Sequence, residues 1–430
     1  MAFKIEAFQN RFLPPAVRRV DAIVSVTAGA DAVAAGGAQS SQLVVGFIID
    51  KSGSMAGERI EGVKRAVSQA IFMLDERAWF FVVVFDSSAQ VLIRETQASR
   101  ASKEAAARAI QALPAGGGTA MSTGLQAALE IFHRAPDAIR EAIFLTDGKN
   151  ESEGPSQVKA VLAKSDGIFE CDCWGVGTDW RVGEVQEIAN ALLGKASLIP
   201  DPAGIEVAFQ AAMNQASSKA LKDVRLRLWT PQGANVVFVK QVNPTIDEMT
   251  AKARVVSPQV REYNTGAWGP GESRDFHVAI DVKDGHEGEE MLAGRPTIAY
   301  LQWSGTGWVE QEDKAPEARL FASWTVDDSL SSRIDHHVAH YTGQGELAQA
   351  IQQGLELRAR GDEGQATHLL GKAVKIAHAS GNTEMTQRLK KVVDVVDAAA
   401  GTVRLKKDAA KAATMDLELE SRTTKRVHKK

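Results

Sequence analysis

The chain is 430 residues long, 44% hydrophobic and 24% charged, with a formal net charge of −4 at pH 7. That length implies two or three soluble domains, and the charge balance excludes an overall basic, nucleic-acid-binding footprint. The longest uncharged stretch, residues 32–49, is broken by Gly, Gln and Ser, so no membrane span is expected.

Near the N-terminus, Arg19 to Thr27 alternates apolar and polar residues as a half-buried strand does. Arg18-Arg19 resembles the start of an export signal, but Asp21 and Asp31 interrupt any apolar core. The segment therefore reads as mature sequence, and the expected location is cytoplasmic. From Leu43 the pattern changes to buried runs alternating with helical periodicity. Leu43–Ile49, Trp79–Phe85, Ala142–Leu145, Ile168–Val176 and Ala196–Ile199 read as strands, with Gln90–Ile93 a hairpin partner of the second. Helices are predicted near 57–74, 99–112, 122–132, 155–164, 182–193 and 202–217. Strands alternating with helices in this way predict an α/β, doubly wound, mostly parallel sheet. Cys171 and Cys173, the only cysteines, fall two apart on one predicted strand, a poor disulfide geometry, and read as reduced core residues.

After Lys219 the alternation becomes that of an antiparallel β-sandwich: 224–229, 235–240, 274–282, 297–303 and 320–326, punctuated by Pro231-Gln232-Gly233 and Gly269-Pro270-Gly271. Arg19–Thr27 is expected to join this sandwich, making the α/β domain an insertion. From Asp328 apolar residues recur at helical spacing in three stripes, the last running from Met385 through Val393 to Val396. A helical bundle is predicted there. Residues 401–430 hold nine Lys or Arg against four Asp or Glu, a net +5, and read as a solvated, flexible tail. The expected domains are thus 1–39 (a strand segment of the sandwich), 40–218 (α/β), 219–327 (sandwich), 328–400 (helical) and 401–430 (tail).

The chemistry-bearing residues sit where predicted strands end. Asp50-Lys51-Ser52-Gly53-Ser54 follows the first buried run, Thr119 follows Gly116-Gly117-Gly118, and Asp147 follows Leu145-Thr146. Ligand sites of parallel sheets lie outside the carboxyl ends of the strands, so these pieces point to one place. Two carboxylates and three hydroxyls are hard oxygen donors, suited to Mg²⁺, with Mn²⁺ or Ca²⁺ as alternatives. So few donors leave an open position, which attracts an anionic oxygen from another molecule.

This set resembles the metal-ion-dependent adhesion site of von Willebrand factor A (VWA) domains: Asp-x-Ser-x-Ser, a distant Thr and a distant Asp, over roughly residues 40–216. The resemblance is to cytoplasmic bacterial members with a companion sandwich. It implies that Ser52 and Ser54 bind the metal directly, and that Asp50, Thr119 and Asp147 bind directly or through water. It further implies a non-catalytic module in which another protein's Asp or Glu completes the coordination, with Met55, Arg59 and Asn150 on the rim. No membrane, nucleic acid or small-molecule substrate is expected.

Rival readings lack parts. A phosphatase nucleophile at Asp50 needs a second acid at the position held by Ser52, which cannot exchange protons near neutral pH. No Gly-x-Ser-x-Gly elbow surrounds either serine, and Gly116-Gly117-Gly118-Thr119 lacks the lysine of a phosphate-binding loop. His336 and His340 stand one helical turn apart without a third zinc ligand. Two functional alternatives remain: an adaptor subunit of an AAA+ ATPase, chelatase-like or stress-response machine, and a metal-dependent hydrolase.

Overall fold

In a computed structural model the chain is described over residues 2–29, 42–200 and 205–427. Its first strands are β1 (Phe3–Gln9), β2 (Phe12–Leu13) and β3 (Arg19–Ala28). The α/β domain follows: β4 (Leu43–Asp50), α1 (Glu58–Met73), β5 (Trp79–Phe85), β6 (Ala89–Gln97), α2 (Arg100–Gln111), α3 (Met121–Phe132), β7 (Ile139–Thr146), α4 (Pro155–Ser165), β8 (Glu170–Val176), α5 (Val182–Ala191), β9 (Ala196–Ile199) and α6 (Ile205–Ser218). The predicted start of the last helix, at residue 202, lies outside the described residues.

The sheet order is β6-β5-β4-β7-β8-β9, parallel throughout except for the β5–β6 hairpin. Both faces are covered, which is why β4 and β5 are continuous apolar runs. Val44, Ile48, Phe81, Val83 and Phe144 pack under α3, α4 and α5. Val45, Phe47, Ile49, Phe80 and Val82 pack under α1, α2 and α6. Cys171 and Cys173 are buried free thiols with their sulfurs 3.9 Å apart.

The sandwich strands are β10 (Lys222–Trp229), β11 (Asn235–Asn243), β12 (Asp247–Glu248), β13 (Arg254–Ser257), β14 (Val260–Asn264), β15 (Ser273–Asp281), β16 (Glu290–Trp303), β17 (Trp308–Lys314) and β18 (Leu320–Trp324). One sheet runs β1-β3-β15-β11-β12; the other runs β13-β14-β10-β16-β18-β2, with β17 also on β16. β3 lies between β1 and β15, antiparallel to both, so the chain enters the sandwich before the α/β domain and returns to it afterwards. The two sheets enclose Val24, Val26, Leu226, Trp268, Phe276 and Ile298.

The last part holds α7 (Asp328–Ser331), α8 (His336–Ala359), α9 (Glu363–Ala379), α10 (Thr383–Val392), β19 (Val393–Asp397), β20 (Thr402–Leu405) and α11 (Lys411–Glu420). Side chains cap four of these helices at their N-termini, with Asp327 accepting from Ser329 N at α7. Asp335 accepts from His337 N, Asp362 from Gln365 N and Asn382 from Met385 N. His340 Nε2 lies 2.8 Å from the Lys425 carbonyl oxygen, so this member of the histidine pair is engaged in docking residues 422–427.

Two expectations are corrected here. The third helical stripe stops at Val392; Val393 and Val396 belong to β19, which turns through Asp397 and Gly401 into β20. A run of four valines broken only by Asp394 favours a strand. Asp397 Oδ1 accepts from Ala399 N and Ala400 N, and Gly401 takes φ +77, a value costly for any side chain.

Nor is 401–430 a free tail. Beyond β20, α11 buries Met415 and Leu419 against the α/β domain and Leu417 in the helical core. Residues 422–424 then run along the sandwich: Ile246 N donates to Arg422 O, and Thr424 N donates to Pro244 O. The net charge misled because the apolar residues at 415, 417 and 419 are spaced two apart, and two neighbours share them. Leu417→Ala is expected to cost about 2–4 kcal/mol in urea unfolding, the scale of a buried leucine truncation. In a solvated tail the change would be within about 0.5 kcal/mol. Among the described residues no helix is long and apolar enough to cross a membrane.

Candidate metal site

Parallel pairing sets the site's geometry. Ile49 of β4 is in register with Leu145 of β7, so Asp50 and Thr146 end adjacent strands and Asp147 lies one residue beyond. The chain then turns sharply through the short 3-10 segment Gly53–Met55. The Gly-rich loop is tied to that turn by Gly116 N donating to Lys51 O at 2.7 Å and Gly53 N to Gly117 O at 3.0 Å. Lys51 also forms an ion pair with Asp86 beneath the loop. Thr119 is thereby carried over Asp50, and Ser152 Oγ fixes it by accepting from Thr119 N at 2.9 Å.

The oxygens converge. A side-chain carbon added at Gly148 would stand 3.1 Å from Thr119 Oγ1, 3.2 Å from Ser54 Oγ and 3.7 Å from Asp50 Oδ2. Ser52 Oγ lies 3.1 Å from Ser54 Oγ, which donates to Asp147 Oδ1 at 2.7 Å. All five sequence-derived donors are therefore brought to one place, with Gly148 leaving it clear. Asp50 and Asp147 are 0% exposed, and Ser52 and Thr119 are also buried.

Burial pushes the Asp50 carboxyl up to about 6, against the opposing effect of hydrogen bonds from Thr146 Oγ1 at 2.6 Å and Ser52 N at 2.8 Å. A buried acid held in this way is costly to ionise without a compensating cation. Among the described residues no group of three or more His, Cys, Asp or Glu is placed to hold a metal. The present set qualifies only through its hydroxyls, a donor chemistry that suits a hard cation keeping some of its own water.

Of the three expected rim residues, Arg59 stands at the site's edge, whereas Met55 turns away from it and Asn150 is engaged in its frame. Met55 is fully buried, packed beside Ile49 and Val63 in the core under α1, because the turn after Ser54 points it inward. Asn150 Oδ1 accepts from Met121 N at the start of α3, and Asn150 N donates to Glu184, so it braces the site's frame. Arg59 Nη1 donates to Asp147 Oδ2 at 2.6 Å and Nη2 to Asp179 Oδ2 at 2.8 Å. Sequence reasoning missed Thr146, Ser152 and Asp179. Thr146 was detectable, since a hydroxyl at the end of the strand beside Asp50 must face it or the core; Ser152 and Asp179 lie in loops without pattern.

Fold and site together define a class: a doubly wound domain with oxygen donors at the carboxyl edge of its sheet, inserted into a sandwich. The von Willebrand factor type A domain family model matches residues 45–192, and the von Willebrand factor type A C-terminal domain model matches residues 375–421. A solved structure, the von Willebrand factor type A protein from Catenulispora acidiphila, is 39% identical with a TM-score of 0.90, covering 99% of this chain and 97% of that one. The chain belongs to the von Willebrand factor type A family. The ArnB paralog VWA2 from Sulfolobus acidocaldarius shares the fold, with a TM-score of 0.65 at 15% identity, covering 98% of this chain and 99% of that one.

Matches to curated relatives are partial. An uncharacterized Synechocystis protein is 30% identical over 220 residues, 50% of this chain and 52% of that protein. The inter-alpha-trypsin inhibitor heavy chain H1 of Sus scrofa is 29% identical over 327 residues, 72% of this chain and 34% of that protein. The chain thus spans about half the length of the first and about a third of the second. Domains of this family commonly mediate protein–protein interaction, and many bind divalent metals.

Proposed function

We propose that the chain is a non-catalytic, divalent-cation-dependent protein-interaction protein whose site captures an Asp or Glu carboxylate of a partner. The observation that carries this reading is the convergence of Thr119, Ser54 and Asp50 oxygens around the space that Gly148 leaves clear. Asp50, Ser52, Ser54, Thr119 and Asp147 would hold Mg²⁺, which when bound supplies a concentrated positive charge for an acidic side chain. Asp50 and Asp147 are held rigidly for this, by Thr146 and Ser52 on one side and Ser54 on the other. Their hydrogen bonds run to these groups and to Arg59, and no histidine is among the partners of the five donors in the described residues. The histidine–hydroxyl pairing of a nucleophilic hydrolase is therefore not among these contacts. The buried, free Cys171 and Cys173 support a reducing, cytoplasmic setting.

The test is a pull-down with wild type and Asp50→Ala as bait, in Mg²⁺ and in EDTA, alongside calorimetric Mg²⁺ titration of both. Wild type is expected to bind Mg²⁺ and to release its partner at least tenfold in EDTA. Asp50→Ala is expected to fail in both conditions while keeping its melting transition. A partner retained equally in EDTA overturns the reading.

A further inference from the structure

We propose that Arg59 is the site's own displaceable counter-cation: its guanidinium occupies Asp147 in the absence of a divalent ion, and Asp179 retains it when Asp147 is claimed. This inference rests on the cation reading above. Asp147 is wholly buried, and both its oxygens are engaged, Oδ1 by Ser54 Oγ at 2.7 Å and Oδ2 by Arg59 Nη1 at 2.6 Å. A buried carboxylate requires such a partner when no other cation is present. The Arg59 side chain is 32% exposed and holds a second carboxylate, Asp179, through its other terminal nitrogen at 2.8 Å. Asp179 itself is 57% exposed, in the loop after β8. The planar fork of arginine can bridge two carboxylates at once, which lysine cannot do with the same geometry.

Release of Asp147 therefore leaves Arg59 with a partner at the solvent edge rather than a lost charge. The path is confined. A side-chain carbon at Gly177 would stand 3.4 Å from Arg59 Nε, so the guanidinium lies over a glycine backbone between its two acids. On the far side Asp179 Oδ1 lies 3.6 Å from Lys411 Nζ, on the first residue of α11. The C-terminal helix thus competes for the acid that receives Arg59.

Calorimetric titration with MgCl₂ and MnCl₂, together with thermal melts in EDTA and in saturating Mg²⁺, tests this on the full chain. Arg59→Gln is expected to bind Mg²⁺ roughly tenfold more tightly, the scale of one screened unit-charge repulsion. It is expected to melt several degrees lower than wild type in EDTA, a deficit that narrows in Mg²⁺; a purely structural arginine would cost the same in both. Asp179→Asn is expected to weaken Mg²⁺ severalfold alone and to have no effect in the Arg59→Gln background. If Arg59→Gln does not fold, Arg59→Lys is expected to bind roughly threefold more tightly, since it holds one acid at a time.

Unchanged or weaker affinity in the Arg59 variants, with wild type binding Mg²⁺, overturns this proposal and leaves the cation site standing. An Asp179→Asn effect that persists in the double variant overturns it as well. Absence of binding in wild type and every variant overturns both proposals.

Discussion

Lys219→Met is expected to lower the unfolding free energy by about 3–5 kcal/mol, the cost of removing one partner from a buried charge cluster. Lys219 joins α6 to β10, with a side chain only 5% exposed, and its Nζ lies 2.5 Å from Glu141 and 2.6 Å from Glu170. Glu170 also accepts the Ala267 N–H of the sandwich. One ammonium therefore bridges two carboxyl groups, one of which keeps its proton at pH 7, where the α/β domain meets the sandwich, and methionine would leave the pair without its buried cation. Urea unfolding at pH 7 measures the loss; a change below about 1 kcal/mol would mean the cluster is solvated.

The same cluster sets a pH dependence. Burial, only partly opposed by Lys219, pushes Glu141 up to about 8. Burial alone would lower Lys219, but the two carboxylates outweigh it and hold its value above the usual lysine range. Both shifts say that the folded cluster retains protons. The Glu141 contribution is fully present below its ordinary value near 4.5 and is lost as pH rises through about 8. The Lys219 contribution persists up to its ordinary value of 10.5, so within this cluster the slope below pH 8 belongs to Glu141. Glu141→Gln should flatten it.

What could be read from residues alone follows from how each signal arises. β4 and β5 were legible because a strand covered on both faces must be apolar throughout, and Asp50 and Asp147 were legible as the first acids beyond such strands. β1, β12, β13 and β14 were not, since short or weakly buried sandwich strands carry little alternation. Met55 and Arg59 show the limit within the site. Both follow Ser54 closely, yet one faces the core and the other Asp147, a choice made by the turn at Gly53–Met55 and by the start of α1 at Glu58. In α11, Met415, Leu417 and Leu419 alternate like a strand but form a helix, because two separate domains supply its neighbours. Tertiary contact there overrides the local pattern.

Asp50→Asn is expected to be more stable than wild type without a divalent ion and less stable with one. In the folded chain the Asp50 carboxyl is pushed up to about 6, chiefly by burial, from an ordinary value of 3.8. Its contribution is therefore lost as pH rises through about 6, and at pH 7.5 the ionised group is a burden relative to the unfolded chain. Asparagine has the same shape, keeps an oxygen to accept from Ser52 N, and can donate to the Thr146 hydroxyl, which reverses its role. A gain of about 1–2 kcal/mol in EDTA follows from removing that burden. Wild type, by contrast, gains about 2.7 kcal/mol in Mg²⁺ at a hundredfold excess over its dissociation constant, and the variant gains nothing. The two stability orders should cross between EDTA and Mg²⁺ in paired urea titrations. If Asp50→Asn is instead more than about 1 kcal/mol less stable in EDTA, the bonds to Ser52 and Thr146 outweigh burial, and the acid is structural. A crossing would mean that this position carries an instability only a bound cation relieves, which is the expected condition of a residue kept for binding.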